Sequence, residues 1–425
     1  MLDVIMHDIL GTPAILVGLF AFIGLLIQKK SSSTVLSGTL KTIMGFVILG
    51  AGATVLIGSL DHFSKMFDHA FQVQGVIPNN EAIVAAAQTN FGTATALIMV
   101  FGMIMNLLFA RFTPLKYIFL TGHHTLFMAC LIAASLSVGG MSGTPLILVG
   151  SIILGLCMVV FPAILQPTVR QITGSDDFAV GHFGSVGYYV SAKIGKLFGN
   201  KMKSTEDIQV PKSLGFLRDT SVAISLTMSV FFVIVALFAG PSYIETQLSA
   251  GSNFIIFAIM QAITFAAGVY IILAGVRMLI AEIIPAFKGI ADKLVPNTKP
   301  ALDCPTIFPF APNAVIIGFI FSFIAGLVSM FILPFIGLKV IVPGLVPHFF
   351  TGAAAGVFGN ATGGRIGAMS GAFANGLLIS FIPAILLIFM GDIGYEGTTF
   401  GDSDFGVIGI IIINLLKLFG AVKNM

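Results

Sequence analysis

Apolar runs long enough to cross a bilayer recur along almost the whole chain, and this constrains the fold more than any other feature. A helical span needs about 20 predominantly apolar residues. Eleven stretches qualify, at roughly 12–28, 36–59, 94–110, 116–138, 144–165, 217–239, 253–280, 312–332, 336–357, 370–390 and 405–421. Only 9% of the residues are charged against 57% hydrophobic, and the mean hydropathy is +1.04; a soluble domain has about a quarter of its residues charged. The expectation is an all-α polytopic membrane protein. A net charge of +3 with no dense basic run gives nucleic acid no purchase. The opening MLDVIMHDIL lacks a basic region, so the first span is expected to insert and stay.

Polar side chains inside this apolar background carry the functional signal. Leu115–Cys130, LKYIFLTGHHTLFMAC, places Thr121, His123 and His124 within a span. Ionisable groups at bilayer depth are costly and mark cavities or transport paths. A weaker echo, LKVIVPGLVPHFFTG, carries His348. With 48 glycines and 18 prolines, interrupted helices are expected. Residues 78–90 (PNNEAIVAAAQTN) and 299–313 (KPALDCPTIFPFAPN) are too short to cross and too apolar for ordinary loops. They are expected as two re-entrant hairpins, with surface-lying segments as the alternative.

Lysine and arginine gather in alternate connections, from Lys29 and Lys30 through the segment Gln166–Arg218 to Lys417 and Lys423. Gly391–Asp404 holds Asp392, Glu396, Asp402 and Asp404 with no base. The positive-inside rule then puts the N-terminus outside and the C-terminus in the cytoplasm. Residues 35–46 resemble 272–283, and 115–124 resemble the segment around Lys339 and His348. Five spans separate the copies, which inverts one relative to the other. The expected organisation is a 5+5 inverted repeat plus one span. Residues 1–165 form the first repeat, 166–216 a cytoplasmic or amphipathic connection, 217–392 the second repeat, and 393–425 the last span. Part of 166–216 is either a docking face for a cytoplasmic partner or a solvated linker.

Cys130, Cys157 and Cys304 lack metal-ligand spacing and are expected as buried free thiols. No motif suggests a catalytic nucleophile, a metal or a cofactor. The glycine-rich run 359–371 follows a membrane helix and lacks a P-loop lysine, so it is expected to be a flexible cytoplasmic hinge.

FLTGHHTLFMACL, DDFAVGH and LDCPTIFPFAPNAV, in that order, resemble the ascorbate-type enzyme IIC permeases of the bacterial phosphotransferase system. The likeness covers nearly the whole chain. It implies a homodimeric inner-membrane permease in which a core moves against a scaffold. It implies inward transport of L-ascorbate, with a soluble IIB subunit, charged by IIA, phosphorylating the sugar acid; the permease itself is not the enzyme. Carried over residue by residue, it implies substrate contacts at Glu81, Ala82, Ile83, His123, Phe127, His182, Phe183 and Asp303, and nominates Gly52 and Ala53. Enteric relatives carry glutamine near Phe127 and Phe183, so this chain offers fewer hydrogen-bonding groups there.

Imidazoles and carboxylates can replace water around a polyhydroxylated guest. His124 points about 100° away from His123 on a helix and is expected in packing or a dimer contact. Two alternatives remain open: an ion-coupled secondary transporter using Glu81, Asp303 and His123 as a proton relay, and a phosphotransferase permease for another sugar acid or polyol.

Overall fold

The computed structural model describes residues 12–72, 75–208, 220–293, 295–390 and 398–418. The chain runs through α1 (Pro13–Ile27), α2 (Ser32–Phe71), β1 (Ile77–Pro78), α3 (Asn80–Phe112), β2 (Tyr117–Phe119), α4 (Gly122–Val138), α5 (Gly143–Thr173), β3 (Ala179–Val180), α6 (Ser185–Phe198) and α7 (Thr220–Ala239). It continues through the short α8 (Pro241–Tyr243), α9 (Phe254–Lys293), β4 (Lys299–Leu302), a 3-10 turn (Cys304–Phe310), α10 (Pro312–Ile332), α11 (Leu345–Met390), β5 (Thr398–Thr399) and α12 (Ser403–Leu418).

Among the described residues, six helices are long and apolar enough to cross a membrane; the pair Ile224–Ala239 and Pro241–Leu248, bent by 98°, makes a seventh if counted as one span. The helical membrane class is as expected, but the boundaries differ from the eleven apolar runs. The run 116–138 splits into β2 and α4. At 17 residues, α4 is short for a span. Nearly all its positions from Gly122 to Leu136 are buried, as suits a helix that is apolar all round. α3, α5 and α12 cover it.

Residues 78–90 and 299–313 each open on a short strand. The first stretch is the end of β1 followed directly by α3, and the second is β4, the 3-10 turn and the start of α10. Pro78, Pro300, Pro305 and Pro309 keep a helix from starting earlier.

The runs 336–357 and 370–390 belong largely to the two arms of α11, which break at Gly364 (φ 59°, ψ −147°). That backbone region is open essentially to glycine alone. The run 359–371 is therefore not a loose hinge. Gly359 lies against the backbone of Gly367, Gly363 against Gly195, and Gly371 against Ser191. Glycines four apart leave each arm with a bare face, which lets backbones approach. The same device joins α2 to α9, where Gly45 and Gly52 meet the backbone at Gly275 and Gly268.

The strands form two parallel patches. One has the order β2–β4–β3, with Phe119, Ala301 and Ala179 abreast. In the other, β1 pairs with β5, Ile77 opposite Thr398 and Pro78 opposite Thr399, while Val76 bridges Ile341. Parallel strands end on the same side. His123 and His124 follow β2, His182 follows β3 and Asp303 follows β4; Asn79 and Asn80 follow β1, and Asp402 follows β5.

At the other end of the first patch, Asp176 binds Arg170 Nε at 2.7 Å, Lys299 Nζ at 2.6 Å and Gln166 Nε2 at 2.7 Å. Partial burial raises its pKa, but these donors outweigh that and hold the carboxyl at about 2. The latch ties the end of α5 to the start of β4.

Two outcomes test these features. A carboxyl depressed on folding stabilises above its unfolded value and loses that contribution as pH falls toward the folded one. Asp176→Asn should lower the apparent melting temperature of the purified protein at neutral pH and narrow the gap to the wild type near pH ~3; a constant gap contradicts the latch. Gly364→Ala should cost about 1–3 kcal/mol, since an added Cβ also meets the carbonyls of Asn200 and Lys203. An unchanged melting temperature would refute it.

Candidate substrate-binding site

Both strand patches end at one cavity of about 220 Å³, lined by Asn79, Asn80, His123, His124, Phe127, His182, Asp303 and Asp402, with Phe46, Leu49, Gly50 and Ile57 of α2 and Val346, Pro347 and Phe350 of α11. At roughly 30 Å³ per water, that is room for a small polyhydroxylated molecule.

Asp303 takes the first position after β4 and caps the 3-10 turn, its Oδ1 accepting the Cys304 N–H at 2.7 Å. His123 Nε2 lies 3.4 Å from its Oδ2, and His182 Nε2 lies 3.9 Å from its Oδ1. The latter gap is beyond a direct hydrogen bond. His123 comes from the first turn of α4, held beside β3 by Thr121, whose hydroxyl donates to the Gly181 carbonyl at 2.5 Å.

The tautomer of His182 follows from its neighbours. Gly184 N–H donates to His182 Nδ1 at 3.0 Å, and the Tyr188 hydroxyl lies 2.9 Å from the same nitrogen. A backbone N–H can only donate, so Nδ1 accepts and the ring hydrogen sits on Nε2. His182 thus offers an N–H toward Asp303 and the cavity.

Among the described residues, three groups bring donor atoms close enough for a metal: His123–His124–Asp303, His124–His182–Asp402 and His182–Asp303–Cys304. Two of them need His182, whose Nδ1 is occupied and whose Nε2 carries hydrogen, so it has no free lone pair to ligate. The arrangement suits hydrogen bonding to an oxygen-rich guest better.

A second polar pole comes from the other patch. Asn80 Nδ2 donates to Asp402 Oδ2 at 2.8 Å, and Gly401 N–H donates to Asn80 Oδ1 at 2.8 Å. Behind it, Asp404 accepts from Ser185 N–H at 2.9 Å, Val186 N–H at 2.8 Å and the Ser403 hydroxyl at 3.0 Å. It caps α6, where negative charge is favoured. Asp402 and Asp404 are buried, so neither belongs to an exposed acidic loop, and neither bears on orientation. Asp392 and Glu396 lie outside the described residues.

Of the residues nominated from sequence, His123, His182, Asp303 and Phe127 meet at the cavity. Phe183 does not line it; its ring stacks on Phe119 at 4.9 Å and supports the site from behind. Ile83 is buried in the apolar core beside it. The side chains of Glu81, Ala82 and Ala53 lie outside the described set. Gly52 faces α9, and Gly50 lines the cavity instead. His348 is packed elsewhere, 2.9 Å from the Ser322 hydroxyl.

His124, expected in packing or a dimer contact, lines the cavity with its ring centre 3.9 Å from that of His182. Its Nδ1 is buried without a hydrogen-bond partner. Sequence reasoning also missed Asn79, Asn80 and Asp402. The available signal was the polar pair directly after Pro78, at the entry to an apolar helix.

The family described as PTS system sugar-specific permease component (EIIC-GAT) matches residues 8–404, and the chain belongs to it. That family is one of permease components of phosphotransferase systems, as the motifs implied. A similar protein is the ascorbate-specific PTS system EIIC component of Mycoplasma pneumoniae, 27% identical over 418 residues, with 85% of this chain and 63% of the relative covered. The chain thus spans less than two thirds of that relative's length.

Replacing either partner of the His123–Asp303 pair tests the site. His123→Ala and Asp303→Asn should each weaken sugar binding by about ten- to a hundredfold, the loss expected for a hydrogen bond to a charged group. Calorimetric titration of folded variants measures it, and wild-type affinity in both would remove these residues from the site.

Proposed function

We propose that this chain binds L-ascorbate, or a related sugar acid or polyol, in the cavity between the two strand patches and carries it inward by alternating access. Phosphorylated IIB, charged by IIA, then phosphorylates the sugar on arrival. The observation that carries this reading is the convergence of His123, His182 and Asp303 with Asn80 and Asp402 on one cavity. The family supplies the phosphotransferase context, and the name of the Mycoplasma relative supplies ascorbate.

The strand patches support an inverted repeat. Ile77–Thr398 and Pro78–Thr399 reproduce the pairing of Ala301–Ala179 and Leu302–Val180, and Val76–Ile341 reproduces Pro300–Ile118. Asn79 then stands where Asp303 stands in the other half. In this scheme β3 with α6 corresponds to β5 with α12, so the first unit extends past 165 and α12 closes the second.

Packing supports a moving core. α1, α2, α7 and α9 pack on one another, and α3 to α6 pack with α10 to α12. The cavity is lined from both groups. Lys201, Lys203 and Arg365 gather at the Gly364 turn, Arg365 donating to the Ser204 carbonyl at 3.0 Å. The positive-inside rule makes that end cytoplasmic, and a homodimer follows from the family resemblance.

Proteoliposomes containing the chain distinguish the readings. Accumulation of labelled ascorbate should require phosphorylated IIB inside the vesicle. Accumulation driven by a proton gradient alone would favour an ion-coupled transporter built on the same Asp303–His123 pair.

A further inference from the structure

The described lining of the cavity contains two carboxylates and no lysine or arginine. Asp303 accepts from Cys304 N–H and Asp402 from the Asn80 amide, so each carboxyl keeps an oxygen committed as an acceptor. Among the described side chains, α2, α3 and α11 bring no charge to the lining. Asp404, behind it, is committed to the start of α6. Among the described side chains, an anionic guest therefore meets two carboxyl groups and no lysine or arginine.

Three imidazoles could offset this, and they are not equivalent. His182 is held neutral, because a second proton on Nδ1 would displace the Gly184 N–H. His124 lies among the rings of Phe127, Phe183 and Phe405, where charge is expensive. His123 is 36% exposed, and its Nε2 faces Asp303 Oδ2 at 3.4 Å. Of the three, it alone has both an opposite charge beside it and open space in front.

We infer that the cavity takes an anionic sugar together with one proton, which His123 receives, and takes a neutral polyol without one. The inference rests on the proposal that this cavity is the sugar site. The proton comes from solvent and adds to the free ring nitrogen of His123. No bond in the guest changes. The imidazolium then holds Asp303 through Nε2–H and sets a positive ring against the guest's oxyanion. Imidazole suits this because its charge changes nearest neutral pH.

The test is calorimetric titration of L-ascorbate into the purified full chain, in buffers of differing ionisation enthalpy, which counts protons. About one proton should be taken up per ascorbate, and on the alkaline side affinity should fall about tenfold per pH unit. Neutral pentitols and hexitols that bind should bind without uptake. His123→Gln keeps a polar group that cannot charge, and it should abolish the uptake. Ascorbate binding with no proton uptake, or uptake that survives in His123→Gln, overturns the inference and leaves the transport reading standing. Binding of polyols alone overturns it and removes ascorbate as the substrate. Binding of neither class overturns both.

Discussion

Backbone hydrogen bonding in an apolar interior governs this molecule. Peptide groups away from water must find partners in the protein, and a helix finds them within itself. Where proline interrupts the helix, the chain turns to strands instead. In β4, Lys299 N–H donates to the Lys116 carbonyl and Ala301 accepts from Leu120 N–H, while Leu302 accepts from Gly181 N–H on the other side. Pro300 turns its missing N–H to the side where β3 has not yet begun, so the central strand tolerates it.

That requirement also builds the site. His182 and Asp303 stand within two residues of a paired strand end, and His123 is the second residue of the helix that follows another, so their positions are set by backbone ladders rather than by long side chains. Local contacts then fix their chemistry. Gly184 decides which nitrogen of His182 bears hydrogen, and Cys304 N–H fixes one oxygen of Asp303. Phe183, wedged against Phe119 and Phe161, backs the site with packed aromatic rings.

Much of this was legible in the sequence. Apolar runs identify the membrane class, and His123 is conspicuous as a polar group within one, whereas His182 and Asp303 came from the family motifs. The strands were not legible: stretches of two to four residues have no periodicity to detect, and parallel partners lie far apart in sequence. Glycine misled for a related reason. In 359–371 it reads as looseness, whereas close packing of α6 on α11 is what those bare positions permit. Asp402 and Asp404 read as outer charges because sequence gives acidity without burial. Asn79 and Asn80 were passed over in favour of the more polar Glu81.

Each strand patch takes its members from both sides of α7, and this has a consequence for biogenesis. When the ribosome has delivered only the first portion of the chain, β2 and β3 lack the strand that lies between them, and β1 has nothing on either side. The imidazoles would then stand in the bilayer without the carboxylate that completes their setting. The cavity can close only after β4 and β5 have been delivered, so insertion and assembly are separate events, and the early half must be sheltered until its counterpart arrives.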